Sequence, residues 1–222
     1  MSGDDAPEVD VRQAEADAWR AITWPQTAET FEALGRYVQD FSRLVFHMRR
    51  ILREAIGLDR TTRLIATFVM SEAYAQQIAN AFFGSCIAIG NVEDDEKTVA
   101  TGLRTRVDAA IQLRNFVAHG DFWIGFNEQG EMQSALMERV RPLRKKGPYE
   151  SKPFTPEMLG AESAQLGELR DLVAEFGEIC LDVGIRGSHG IDEPLRVRDV
   201  FGIVGGEIVR NGPAASTKPR YG

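Results

Sequence analysis

The sequence predicts a mainly α-helical protein: an antiparallel bundle of about four long helices, with a β-hairpin inserted before the last one. Three observations carry that expectation. Apolar residues recur at steps of three and four over stretches too long for strands. Glycines such as Gly57, Gly120 and Gly184 stand where those stretches stop. Two β-prone runs flank the turn signal "NEQG" at 127–130.

Taken in order, residues 1–26 form an acidic N-terminal segment, expected to be partly disordered, although Trp19, Ile22 and Trp24 can dock on the body. The helical domain is expected over 27–186. After Pro25, Thr27 is the N-cap (Thr30 the alternative), and Phe31, Leu34, Val38, Phe41, Val45, Met48, Leu52 and Ala55 mark the inward face of the first helix, which Gly57 ends. A second helix is expected over 60–89, apolar on more than one face and therefore central. Its Glu72 is read as the partner of an arginine on a neighbouring helix. "NVEDDEKT" supplies a loop and an acidic first turn for a third helix over about 95–118, with Val99, Leu103, Val107, Ile111 and Val117 inward. The hairpin is expected over about 121–142, "KKGPYESKPFTPEMLG" as a loop, and a fourth helix over about 161–184. The remainder, 187–222, reads as a Gly/Pro-rich extension in which "RDVFGIVGGEIVRNG" can add a strand and the last ten residues are disordered.

Composition limits the function classes. The 222 residues are 43% hydrophobic and 27% charged, enough for a real core. No apolar run is long enough to span a membrane. The acidic N-terminus lacks an apolar signal core, so a cytoplasmic location is expected. Cys86 and Cys180 stand far apart without metal-ligand spacing, which fits buried thiols. The net charge of −7 argues against a broadly basic surface that coats nucleic acid. No phosphate fingerprint is present, since "GIVGG" at 202–206 reads as a bend, and neither cofactor nor metal is expected.

The one stretch that looks like chemistry is "RNFVAHG" at 114–120. It sets Arg114, Asn115 and His119, one of three histidines, at the end of the third helix. Cleaving RNA without a metal requires a base for the ribose 2′-hydroxyl, an acid for the leaving 5′-oxygen, and positive charge on the phosphorane. Histidine titrates near neutrality and can serve as base or acid. Arginine stays charged, and its planar fork matches phosphate oxygens. Asparagine can orient the phosphate or hold the imidazole. On a regular helix Asn115 and His119 nearly share a face, whereas Arg114 and His119 diverge by about 140°. The long arginine side chain, unwinding before Gly120, or a two-fold dimer that brings two copies together would each reunite them.

This motif resembles the signature of the HEPN superfamily, in which an arginine, often followed by a polar residue, precedes a histidine by four to six positions. The resemblance implies a HEPN-like helical domain over roughly 28–184 that dimerises at the motif face. It further implies a metal-independent endoribonuclease, of the kind found in toxins and antiviral defence, with catalytic Arg114, Asn115 and His119. The products would be a 2′,3′-cyclic phosphate and a 5′-hydroxyl. Implied partners are a second copy, an RNA substrate, and an antitoxin or regulatory protein. The toxin branch usually carries a tyrosine two residues after the histidine, where this chain has Asp121. The alternative is a non-catalytic HEPN-like module that binds RNA, nucleotide or protein.

Arg104, Arg106, His47 and Arg50 are the further candidates for RNA contact, and the plain reading of such basic clusters is a solvated helix face. Phe122 and Trp123 can stack on bases but are more often core. His189 is expected in a loop without a partner.

Overall fold

A computed structural model of the chain describes residues 11–56, 64, 70–90, 92–140, 149–189 and 196–211. The described chain is mainly helical. Its helices are α1 (Val11–Ile56), α2 (Ala75–Ile89), α3 (Lys97–His119), α4 (Pro156–His189) and the short α5 (Val197–Val200). Strands β1 (Asp121–Phe126), β2 (Met132–Val140) and β3 (Tyr149–Pro153) form one antiparallel sheet in that order, and β4 (Phe201–Val204) pairs with β5 (Glu207–Arg210). No helix among the described residues is long and apolar enough to cross a membrane. The chain falls into two compact units, Met1–Val38 with Phe116–Glu162, and Gln39–Asn115 with Ser163–Gly222.

In the first unit the N-terminal segment departs from expectation. Helix α1 begins at Val11 rather than at Thr27 and runs through Pro25. Proline removes one backbone donor from the helical ladder. Gln26 ties the segment down: its amide nitrogen donates to the carbonyls of Ile22 (3.1 Å) and Gly130 (2.8 Å), and its oxygen accepts from the Met132 N–H (2.8 Å). Trp19 also meets Phe126 edge-on, with ring centroids 6.4 Å apart. The buried stripe of this half of α1 is polar. Thr23, Thr30 and Tyr37 are buried at seven-residue spacing, whereas Phe31 and Val38, expected inside, are exposed. The two threonines can be buried because their hydroxyls donate to the carbonyls of Trp19 and Gln26, both at 2.9 Å.

The hairpin is present, and its turn is built as "NEQG" suggests. Asn127 Oδ1 accepts from the N–H groups of Gln129 (3.1 Å) and Glu131 (2.8 Å), and Gly130 takes the left-handed φ of 78°. β3 lies in the stretch expected to be a loop. It pairs with β2 from Leu136↔Pro153 to Val140↔Tyr149, and Phe154 then plugs the core against Phe116, with ring centroids 5.9 Å apart and planes nearly parallel. Helix α4 starts earlier than expected, at Pro156, where Thr155 accepts the N–H bonds of Met158 (3.3 Å) and Leu159 (3.0 Å) and proline takes the first helical position.

In the second unit the apolar spacing is a good guide. Phe41, Leu44, Val45, Met48, Ile51 and Leu52 of α1 are buried, as are Val99, Leu103, Val107 and Ile111 of α3 and Leu166, Leu169, Leu172, Phe176 and Ile179 of α4. The second helix is not continuous, because residues 72–74 are non-helical and Ala75 starts α2 afresh. Tyr74 takes the N-cap position with an extended backbone, and its N–H donates to Gln77 Oε1 (2.9 Å). Gly177 lets Phe82 and Ile51 approach to about where a β-carbon would sit. Of the C-terminal extension, β4 and β5 form a hairpin on Gly205 and Gly206, both at positive φ as a two-residue primed turn requires. Glu93 and Glu96 hold it: Glu93 pairs with Arg196 (2.6 Å) and Arg198 (2.7 Å), and buried Glu96 accepts the Arg198 N–H (3.1 Å). Expectations for Gly57, residues 1–10, residues 141–148 and the last ten residues lie outside the described residues.

Replacing Gln26 by alanine leaves the Met132 N–H and the Gly130 carbonyl without their side-chain partner. The expected cost is about 1–3 kcal/mol, measured as a lower midpoint in chemical unfolding. An unchanged midpoint would mean that the hairpin does not depend on this bridge.

Candidate functional site

The site is built on the last turns of α3, whose helix is unbroken from Lys97 to His119. Sequence and structure agree on the helix but differ on its final inward residue. Phe116 is fully buried, while Val117 is only half-buried. Stacked on Phe154 and capped by the Lys152 ammonium 5.1 Å from its centroid, Phe116 anchors the helix end. The chain then passes into β1 through Gly120. A β-carbon there would lie 2.5 Å from Met137 Cγ and 3.0 Å from the Glu138 carbonyl, so only glycine fits. The same approach sets the pairing Asp121↔Glu138 and Phe122↔Met137.

Around that anchor the three motif side chains face outward. Arg114 is half-buried, and Asn115 and His119 are exposed. Arg114 Nη1 makes one long contact, 3.4 Å, to Asn115 Oδ1. Among the described residues it forms no ion pair, and the expected Glu72 partner does not meet it. Glu72 lies instead in the non-helical break, exposed. His119 has no hydrogen-bond partner among the described residues. Because the helix stays regular to His119, unwinding does not bring the guanidinium toward the imidazole. Helical geometry leaves Asn115 and His119 one turn apart on one face and turns Arg114 away by about 140°.

The other candidate RNA contacts are committed elsewhere. Arg104 binds Asp108 through Nε (2.9 Å) and also reaches Asn80. Although burial opposes ionisation of Asp108, hydrogen bonds from Arg104 and Gln76 hold its carboxyl below the usual range. Arg106 lies 3.6 Å from Glu168, and Arg50 bridges Glu54 (3.5 Å) and Glu178 (2.8 Å). His47 is half-buried, and its Nδ1 is enclosed without a hydrogen-bond partner among the described residues. Burial, then the charges of Arg50 and Arg170, lower its pKa below 6.5, against Asp171 and Glu178. His189 ends α4 instead of lying in a loop. Half-buried Phe122 packs edge-on against Phe31, while Trp123 is largely exposed, so neither ring of the pair lies in the core.

Cys86 and Cys180 are free, buried and in mutual contact, and their hydrogen bond and burial push the Cys180 thiol far up. No group of histidine, cysteine and carboxylate side chains among the described residues is arranged to hold a metal ion. Compared with protein families, curated proteins and solved structures, the chain matches none of them.

Two substitutions test this geometry. Gly120→Ala must displace Met137 or the β2 backbone, and is expected to cost about 1–3 kcal/mol as an overpacking change. Wild-type stability in thermal unfolding would contradict the close approach. For His47, the folded pKa lies below the unfolded value of 6.5, so just below 6.5 the unfolded chain holds more protons. Stability is therefore full above pH 6.5 and falls as acid takes the pH through the folded pKa. His47→Gln should show a smaller loss between pH 7.5 and pH 5 in urea unfolding. Equal losses in both proteins would remove His47 as a source of acid sensitivity.

Proposed function

We propose that the chain is a metal-independent endoribonuclease of HEPN type that acts as a homodimer with a composite site. His119 serves as general base or acid, Arg114 stabilises the phosphorane, and Asn115 positions the phosphate. The observation that carries this reading is the state of the motif. Among the described residues Arg114 is not neutralised by a carboxylate and exposed His119 has no hydrogen-bond partner, both on one helix end. Two copies are needed because one helix sends the guanidinium and the imidazole in different directions. Single acid–base groups contribute roughly 10²–10⁴-fold, and charge stabilisation of developing oxyanions a similar amount.

The rival reading is a HEPN-like module that binds RNA, nucleotide or a regulatory protein without turnover. What favours it is the pairing of Arg50, Arg104 and Arg106 with carboxylates, which leaves less free positive charge for a long RNA contact. Antitoxin control through nucleotidylation has no tyrosine to act on at position 121, which is aspartate.

Incubation of the purified protein with RNA in EDTA separates the readings. The nuclease gives products ending in 2′,3′-cyclic phosphate, with cleavage lowered at least about 100-fold in His119→Ala and Arg114→Ala. RNA bound at unchanged length supports the module. Equal cleavage by wild type and both variants discards the motif as the site.

A further inference from the structure

We infer that the free edge of the three-stranded sheet, together with the exposed side of α1 that borders it, is a docking surface for a second copy of this chain. Among the described residues the sheet has two edges of different character. β3 carries Glu150, Lys152 and Pro153, residues that discourage strand pairing. β1, at the other edge, reads "DFWIGF", with one charge at its start and neither lysine nor proline. At its centre Trp123 is 60% exposed. A strand of this kind offers unpaired backbone donors and acceptors beside apolar side chains, the combination that recruits another strand.

Helix α1 extends the surface. It meets β1 through Trp19 with Phe126 and Phe31 with Phe122 (5.5 Å) and β2 through Gln26 and Thr30 at Met132, so it packs on the sheet face that carries Phe122 and Phe126, opposite to that of Trp123. Phe31 remains 52% exposed and Trp24 is 69% exposed. On a helix of 3.6 residues per turn, Trp24, Ala28, Phe31, Gly35 and Val38 fall within about 40° of one line, and all five are exposed. Among the described residues nothing lies within 4 Å of where a β-carbon on Gly35 would stand.

The occupant follows from register and charge. In an antiparallel pair of β1 strands centred on Trp123, each residue meets a compatible neighbour on its own face. Trp123 meets its counterpart, Phe122 meets the second copy's Ile124, and Asp121 meets the second copy's Gly125. No like charges face each other. Aromatic and β-branched cross-strand pairs are the favourable kind. The same two-fold sets the two α1 helices antiparallel beside one another, with small Ala28 and Gly35 permitting close approach. The rings of Trp24, Phe31 and Trp123 alone would bury on the order of 300–400 Å² per copy, near half of the roughly 800 Å² per partner of a standard interface. This pairing sets the two copies of Asp121 about 13 Å apart along the strands, with each His119 further out at its own helix end, so it is a separate contact from one that would assemble a composite motif site. A chain using both contacts would form tetramers or an open array, and a chain using the edge alone would form dimers.

Sedimentation of the full chain over a concentration series, with Trp123→Lys and Trp123→Cys, tests the inference. Trp123 is exposed, so the lysine variant should keep the wild-type circular dichroism. Wild type is expected to self-associate, and Trp123→Lys to weaken that association at least tenfold, halving a dimer or reducing a larger assembly. Under oxidation Trp123→Cys should give a disulfide-linked dimer, while a control cysteine at exposed Gln133 of β2 gives none, the native cysteines being buried. A wild-type monomer at all concentrations, association indifferent to Trp123→Lys, or equal cross-linking at 133 would overturn it. Cleavage of RNA by His119 is scored separately, so either proposal can fail without the other.

Discussion

The close approach of Gly120 to β2 is the constraint on which the first unit depends. Helix α3 ends and β1 begins within two residues, and this is sterically allowed only because no β-carbon stands between the chain and Met137. Phe116, one turn earlier, fixes the helix end by stacking on Phe154, which follows directly on β3. A helix terminus and two strands of the sheet thus share one small aromatic contact. Once they are fixed, the register Phe122↔Met137 follows, and the inner face of β1 is presented to α1. His119 lies between the buried anchor and the glycine and remains exposed.

A second feature of this unit is that its helix buries hydroxyls. The stripe Thr23, Thr30, Tyr37, continued by Leu44 and Ile51, is buried at seven-residue spacing, but its first half reads as polar in sequence. Threonine can occupy such positions because its hydroxyl returns to a carbonyl four residues back, leaving a methyl to pack. The large apolar residues of the same stretch, Trp24, Phe31 and Val38, are then turned out toward solvent. Burial in this half of α1 is decided by which side chains satisfy themselves locally, and not by hydropathy alone.

This explains how much was legible beforehand. In the second unit, where packing residues are Leu, Ile, Val and Phe, periodicity finds the buried faces of α1, α3 and α4 almost residue by residue. It fails where long-range partners decide. The order of Val11–Pro25 rests on Gln26 reaching residues more than a hundred positions away, and β3 rests on pairing with β2. The break at 72–74 sits in an apolar run with neither glycine nor proline to announce it. Its visible support is Arg49, whose guanidinium donates to the Ala73 carbonyl (2.7 Å). The motif was legible as a pattern, and its position at a helix end followed from Gly120. What sequence could not supply is the pairing of the other arginines, because ion pairs such as Arg106–Glu168 and Arg50–Glu178 depend on tertiary neighbours.

Those pairings sharpen the chemical argument about Arg114. A guanidinium held by a carboxylate must exchange that partner for a phosphate, and the gain is then the difference between two similar charge-assisted interactions. Arg104 illustrates the committed state, with Nε shared between both oxygens of Asp108 and a further contact to Asn80. Arg114, with a single long contact to an amide, has no such partner to give up among the described residues. The same reasoning separates the histidines. Burial, then the charges of Arg50 and Arg170, lower the pKa of half-buried His47, while His119 is exposed. An anionic ligand at Arg114 or exposed His119 would displace no carboxylate among the described residues.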